Sequence, residues 1–93
     1  MANTVSVRIP TILRTYTGGA SEVSAEGDTL AQVIDHLEAA HPGIKARVLD
    51  DNGALRRFVN VYVAGDDVRF LDELATPTPD GSQVSVIPAV AGG

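Results

Sequence analysis

At 93 residues the chain has length for one hydrophobic core and one domain, with none left for a second. Apolar residues at 44% and charged residues at 20% are ordinary globular usage, which argues against disorder, and no run approaches the ~20 apolar residues of a bilayer span. Absent cysteine excludes disulfides, thiolate catalysis and sulfur ligation of zinc, while a net charge of −5 argues against binding nucleic-acid phosphates and favours partners with basic docking surfaces.

The first element is a strand. Asn3 to Ile9 alternates, with Val5, Val7 and Ile9 on one face and Thr4, Ser6 and Arg8 on the other. An N-terminus of that pattern is not a continuously apolar signal peptide, so a cytoplasmic protein is expected, monomeric when alone. After Pro10 comes a polar stretch with Gly18-Gly19, then Ser21 to Ala25, which reads as a short second strand returning on the first. Asp28 and Thr29 offer N-cap oxygens, Gln32 completes a capping box with Thr29, and Leu30, Val33, Ile34 and Leu37 recur at helical spacing. A helix over roughly residues 29 to 40 follows, stopped by His41-Pro42-Gly43.

Residues 44 to 56 have no clear period. Ile44, Val48, Leu49 and Leu55 are placed to pin the segment to the core, and Asp50-Asp51-Asn52-Gly53 makes a turn. Arg57 to Ala64 reads as an internal strand, with Val59, Val61 and Val63 pointing one way and Phe58, Asn60 and Tyr62 the other. Gly65-Asp66-Asp67 turns the chain into a short strand at Val68-Arg69-Phe70, Leu71 to Leu74 suits one helical turn, and Gln83 to Pro88 is the last strand. This order predicts an α+β fold in which a mixed sheet of four to five strands curves over one main helix, the β-grasp or ubiquitin-like arrangement. The domain is expected to span 1–88, with a flexible tail at 89–93.

Sites of other kinds find little support. His36 and His41, five residues apart, do not share a helical face and have no third ligand nearby. The acidic turns lack the spaced ligands of a calcium loop, Gly18-Gly19 lacks the lysine and helix start of a phosphate loop, and Gly27-Asp28 puts an acidic group where an anion would sit. No triad or convergent carboxylate cluster points to an enzyme.

Three segments carry a resemblance covering almost the whole chain. Val5-Ser6-Val7-Arg8-Ile9-Pro10, Phe58-Val59-Asn60-Val61-Tyr62-Val63 and Ile87-Pro88-Ala89-Val90-Ala91-Gly92-Gly93 resemble the small sulfur carriers of thiamine, molybdopterin and cysteine biosynthesis. The length, the extended 44 to 56 segment and the ending look most like the actinobacterial cysteine-synthesis branch. The resemblance implies that an activating enzyme adenylates the Gly93 carboxylate with ATP, that a sulfur donor converts it to a thiocarboxylate, and that the sulfur passes to an acceptor. In the cysteine branch it further implies a pyridoxal-phosphate-dependent cysteine synthase and a zinc metalloprotease that releases cysteine. ATP, pyridoxal phosphate and zinc would then belong to partners, with no cofactor held by this chain.

The ending suits that chemistry. An acyl adenylate exchanges a poor leaving group for a good one, so sulfide attacks the carbonyl without any cysteine. Gly92 and Gly93 give the narrowest chain for entering a closed partner site, and Ala89, Val90 and Ala91 give reach. For docking, alternation places Phe58, Tyr62 and Ile87 on the sheet face opposite the helix, beside Arg8; the competing expectation is that the 44 to 56 crossover folds over them. A carrier feeding molybdopterin or thiazole assembly, and a protein modifier joined through Gly93 to target lysines, share the same tail.

Overall fold

The computed structural model describes residues 3–88. Strand β1, Thr4–Arg8, pairs antiparallel with β2, Glu22–Glu26, placing Thr4 opposite Glu26 and Arg8 opposite Glu22. Helix α1, Leu30–Ala40, crosses behind the sheet, and a single-turn helix α2, Lys45–Val48, follows. Strands β3, Val59–Val63, β4, Asp66–Asp67, and β5, Gln83–Pro88, complete a five-stranded sheet of order β2-β1-β5-β3-β4. The β1·β5 pair at its centre is parallel and every other pair antiparallel, so the expected mixed sheet over one main helix is the observed one.

The core forms where two periodicities meet. Val5, Val7, Val61, Val84 and Val86 alternate inward along their strands and face Leu30, Val33, Ile34 and Leu37, which recur along one side of α1. Ile44, Val48, Leu49 and Leu55 are buried in the same core, as expected of the crossover, and the Asp50–Gly53 turn closes with the Gly53 N–H on the Asp50 carbonyl at 3.0 Å. The start of α1 departs slightly from the expected box. Thr29 accepts the Gln32 N–H at 3.4 Å, but the Gln32 side chain receives the Asp28 N–H at 2.8 Å rather than that of Thr29.

Four elements differ from the sequence reading. The polar stretch after Pro10 winds into a 3-10 helix, Thr11–Thr17, that buries Leu13 and Thr17. The internal strand begins at Val59, with Arg57 and Phe58 in the turn that enters it. The short strand is Asp66–Asp67, because the two-residue turn is Ala64-Gly65, both at positive φ (52° and 90°), the geometry whose twist suits a tight hairpin. Val68–Phe70 is then a 3-10 turn with Val68 in the core, and the helical turn expected at Leu71 to Leu74 falls at Glu73–Ala75.

Between α1 and α2, one carboxylate does the work of a cap. Glu38 accepts the Gly43 N–H on both oxygens, at 3.1 and 3.0 Å, and the Lys45 N–H at 2.9 Å. The Gly43 and then the Lys45 amide hold its pKa below the ordinary glutamate value, with the Lys45 charge adding to this and desolvation opposing it. A depressed folded pKa stabilises the fold in full above the unfolded value and loses that stabilisation as pH falls through the folded one. Glu38→Gln is therefore expected to unfold at lower urea concentration than the parent at pH 7, with the gap closing at pH values below the glutamate range. A gap that widens on acidification would contradict the assignment.

Candidate functional site

Because β1 and β5 are parallel, the ends of both strands lie at the same edge of the domain, and because β3 is antiparallel to β5, its start lies there too. Pro88, the last described residue, pairs with Val59. The reactive group expected at Gly93, together with Gly92 and Ala89, Val90 and Ala91, lies outside the described residues. The root of this segment is therefore surrounded by the end of β1, the Arg57-Phe58 turn and the first residues of β3.

Register places the expected docking residues. Arg8 pairs with Ser85, Ser85 with Tyr62, and Tyr62 with Asp67, so these four form one row across the outer face, with Glu22 beyond Arg8. Ile87 is opposite Asn60, on the same face and one step nearer the tail. Ile87 is 49% exposed and Phe58 57%, so the 44 to 56 crossover, anchored on the helix side by its buried residues, leaves both in solvent. Tyr62 is half-buried and Arg8 exposed. Phe58 owes its exposure to the entering turn rather than to strand alternation, which is where its placement differs from expectation.

Arg69 is part of this edge and was not legible in the sequence. Its guanidinium donates to the Asn60 side-chain oxygen at 2.7 Å and to the Arg56 carbonyl at 2.6 Å, while Asp67 accepts its backbone N–H at 2.9 Å. It thus ties the residues on either side of Phe58 to the 68–70 turn, and a partner nine to thirteen positions away leaves no periodic signal. His36, considered as a ligand, instead accepts the Glu26 N–H through Nδ1 at 3.0 Å and terminates β2. Among the described residues no group of three His, Cys, Asp or Glu is placed to hold a metal ion, and no helix is long and apolar enough to cross a membrane.

A mixed five-stranded sheet of this order over one main helix is the β-grasp, or ubiquitin-like, fold. Comparisons with known proteins agree. Residues 7–93 match the model of the ThiS family. The chain is 56% identical to the sulfur carrier protein CysO of Mycobacterium tuberculosis over 91 residues, 96% of this chain and 98% of that protein. It superposes on a chain of the Amycolatopsis orientalis BexX/CysO complex with a TM-score of 0.90 and 50% identity, covering 96% of this chain and 99% of the other. It is also 43% identical to small archaeal modifier protein 3 of Haloferax volcanii over 65 residues, 70% of each chain. The chain belongs to the ThiS family of ubiquitin-like sulfur carriers.

Proposed function

We propose that this chain carries sulfur on its own C-terminal carboxylate, as a thiocarboxylate at Gly93, for the biosynthesis of cysteine. The observation that carries the reading is the near-full-length likeness to a protein named as the sulfur carrier CysO, together with a family match that runs through Gly93 itself. In the first step the Gly93 carboxylate attacks the α-phosphorus of ATP in an activating enzyme, releasing pyrophosphate and leaving an acyl adenylate. Hydrosulfide, or the equivalent sulfur of a donor, then attacks the carbonyl carbon; AMP departs with the bonding pair and the thiocarboxylate remains.

The loaded tail delivers its sulfur to a pyridoxal-phosphate-dependent cysteine synthase, and a zinc metalloprotease releases the product, so ATP, pyridoxal phosphate and zinc are partner groups. Five residues beyond Pro88 extend at most ~18 Å, enough to carry a terminal carbon into a deep site while the domain stays outside. The exposed Phe58 and Ile87 and the adjoining Tyr62 and Arg8 supply the docking contact, since apolar and aromatic anchors dominate association energy. That the A. orientalis relative is found in a complex with BexX supports a role exercised through partner proteins.

The test is the intact mass of the full chain incubated with its cognate activating enzyme, ATP and a sulfur source. A gain of ~16 Da, the replacement of one oxygen by sulfur, is the expected result. The likeness to an archaeal modifier favours a second reading, conjugation through Gly93 to lysine amines. Larger conjugates in place of that gain would establish it, and an unchanged mass with active partners would refute both.

A further inference from the structure

The net charge conceals a polarity. All six arginines of the chain, Arg8, Arg14, Arg47, Arg56, Arg57 and Arg69, are at the tail edge or tied to it. Arg8 ends β1, and Arg57 lies in the turn entering β3. Arg14 donates to the carbonyl of Ile9, one residue past β1, at 3.1 Å. The Arg56 side chain reaches the Ala46 carbonyl at 2.9 Å, next to Arg47, and the Arg56 carbonyl receives Arg69 at 2.6 Å. Arg8, Arg47, Arg56 and Arg57 are exposed.

The opposite edge is built from the start of β1, the end of β2, the start of α1 and the Ala64-Gly65 turn. It carries Glu26, Asp28, Asp66, Asp80, and Asp72 and Glu73 of the turn that Thr76 ties to the start of α1, and among these elements no lysine or arginine. Asp28 and Asp80 mark it directly, accepting the Asn3 and Thr4 N–H groups at 3.1 and 2.8 Å. Glu22 opposite Arg8, Asp67 in the row of Arg8, and Glu38, Asp50 and Asp51 around Lys45 keep their charges on the arginine side, so six arginines and Lys45 outnumber five carboxylates there, while the opposite edge has six carboxylates and no lysine or arginine. A chain of charge −5 therefore presents a basic pole where its tail begins and an acidic pole behind it.

We propose that this arginine pole docks on an acidic protein surface surrounding the site that receives the tail, with the acidic pole left in solvent. The inference rests on the carrier reading and adds to it the chemistry of the partner surface, opposite in sign to what the net charge suggests. Such a dipole turns the tail edge toward the partner before contact, a gain in encounter rate that salt screens.

The experiment is stopped-flow association of the full-length chain with its cognate activating enzyme at low and at high salt. The double variant Arg8→Glu, Arg57→Glu is expected to associate about tenfold more slowly at low salt, with the difference shrinking as salt rises. Asp66→Lys with Glu73→Lys, on the far edge, is expected to stay within about twofold of the parent, and thermal melts establish that each variant is folded. Arginine reversal that leaves association unchanged or accelerates it overturns the proposal, as does a far-edge reversal of equal effect. A parent chain that the enzyme never adenylates instead marks failure of the carrier reading itself.

Discussion

Deletion of Gly93 is expected to abolish sulfur loading while moving the melting temperature by no more than about 2 °C. The two effects separate because the fold and the proposed reactive group occupy different stretches of chain. The buried core of the described residues runs from Val5 to Val86, and the sheet's last pair is Val59 with Pro88, so the described elements that build the fold all precede the deleted residue. The truncated chain still ends in a glycine carboxylate of ordinary reactivity, now on Gly92. What changes is reach: docked through the same face, its terminal carbon falls short by one residue, about 3.5 Å. Misplacement by about 1 Å costs on the order of a hundredfold in rate, and a shortfall several times larger leaves the carboxylate outside attacking distance of a bound nucleotide. Loading is read by intact mass and stability by thermal melting on one sample. A truncated chain that loads within about tenfold of the parent would show that the partner selects no particular length and would remove Gly93 from its assigned role.

How much of this was readable in advance follows from which features are periodic. The strands β1, β3 and β5 and the helix α1 announce themselves because each repeats its apolar residues at its own spacing, and Ile87 falls on the outer face for the same reason. The 3-10 helix at Thr11–Thr17 and the single turn of α2 are too short to repeat anything, so neither helix announces itself, and Leu13 looks like an isolated apolar residue until the core surrounds it. The Val68-Arg69-Phe70 stretch alternates like a strand, but Val68 is buried and Phe70 is 87% exposed because the hairpin has already ended at Asp67. Arg69, His36 and Asp80 act through partners nine to seventy-six residues away, and such pairings exist only once the chain has folded. The polarity of the domain was hidden differently, since a net charge adds together two ends that topology separates. The Gly-Gly ending is a linear feature that needs no fold to bring its residues together, and it lies outside the described residues.

Gly27 is the residue whose importance the sequence least discloses, and Gly27→Ala is expected to destabilise the domain by about 3 kcal/mol, the upper range for overpacking a filled interior. A methyl group there would lie 2.6 Å from the backbone nitrogen of Val33 and 2.9 Å from the carbonyl carbon and Cβ of Gln32. Two of these are main-chain atoms of the first turn of α1 and the Cβ is fixed to that main chain, so relief requires the helix to move rather than a side chain to rotate. The helix start is in turn fixed on its other side: the Leu30 N–H donates to the Thr76 carbonyl at 3.0 Å, and Thr78, fully buried, donates its hydroxyl to the Gly27 carbonyl at 2.8 Å and its N–H to the Asp28 carbonyl at 3.0 Å. Displacing α1 strains these bonds and pulls Leu30, Val33 and Ile34 from the sheet, so steric and packing costs add. For a domain of this size 3 kcal/mol corresponds to a fall of about 15 °C in melting temperature, measurable by circular dichroism with the tail intact. A loss below about 1 kcal/mol would mean that α1 shifts without resistance, contradicting the tight seat between Gly27 and the 76–78 segment that sets the distance of the helix from the sheet.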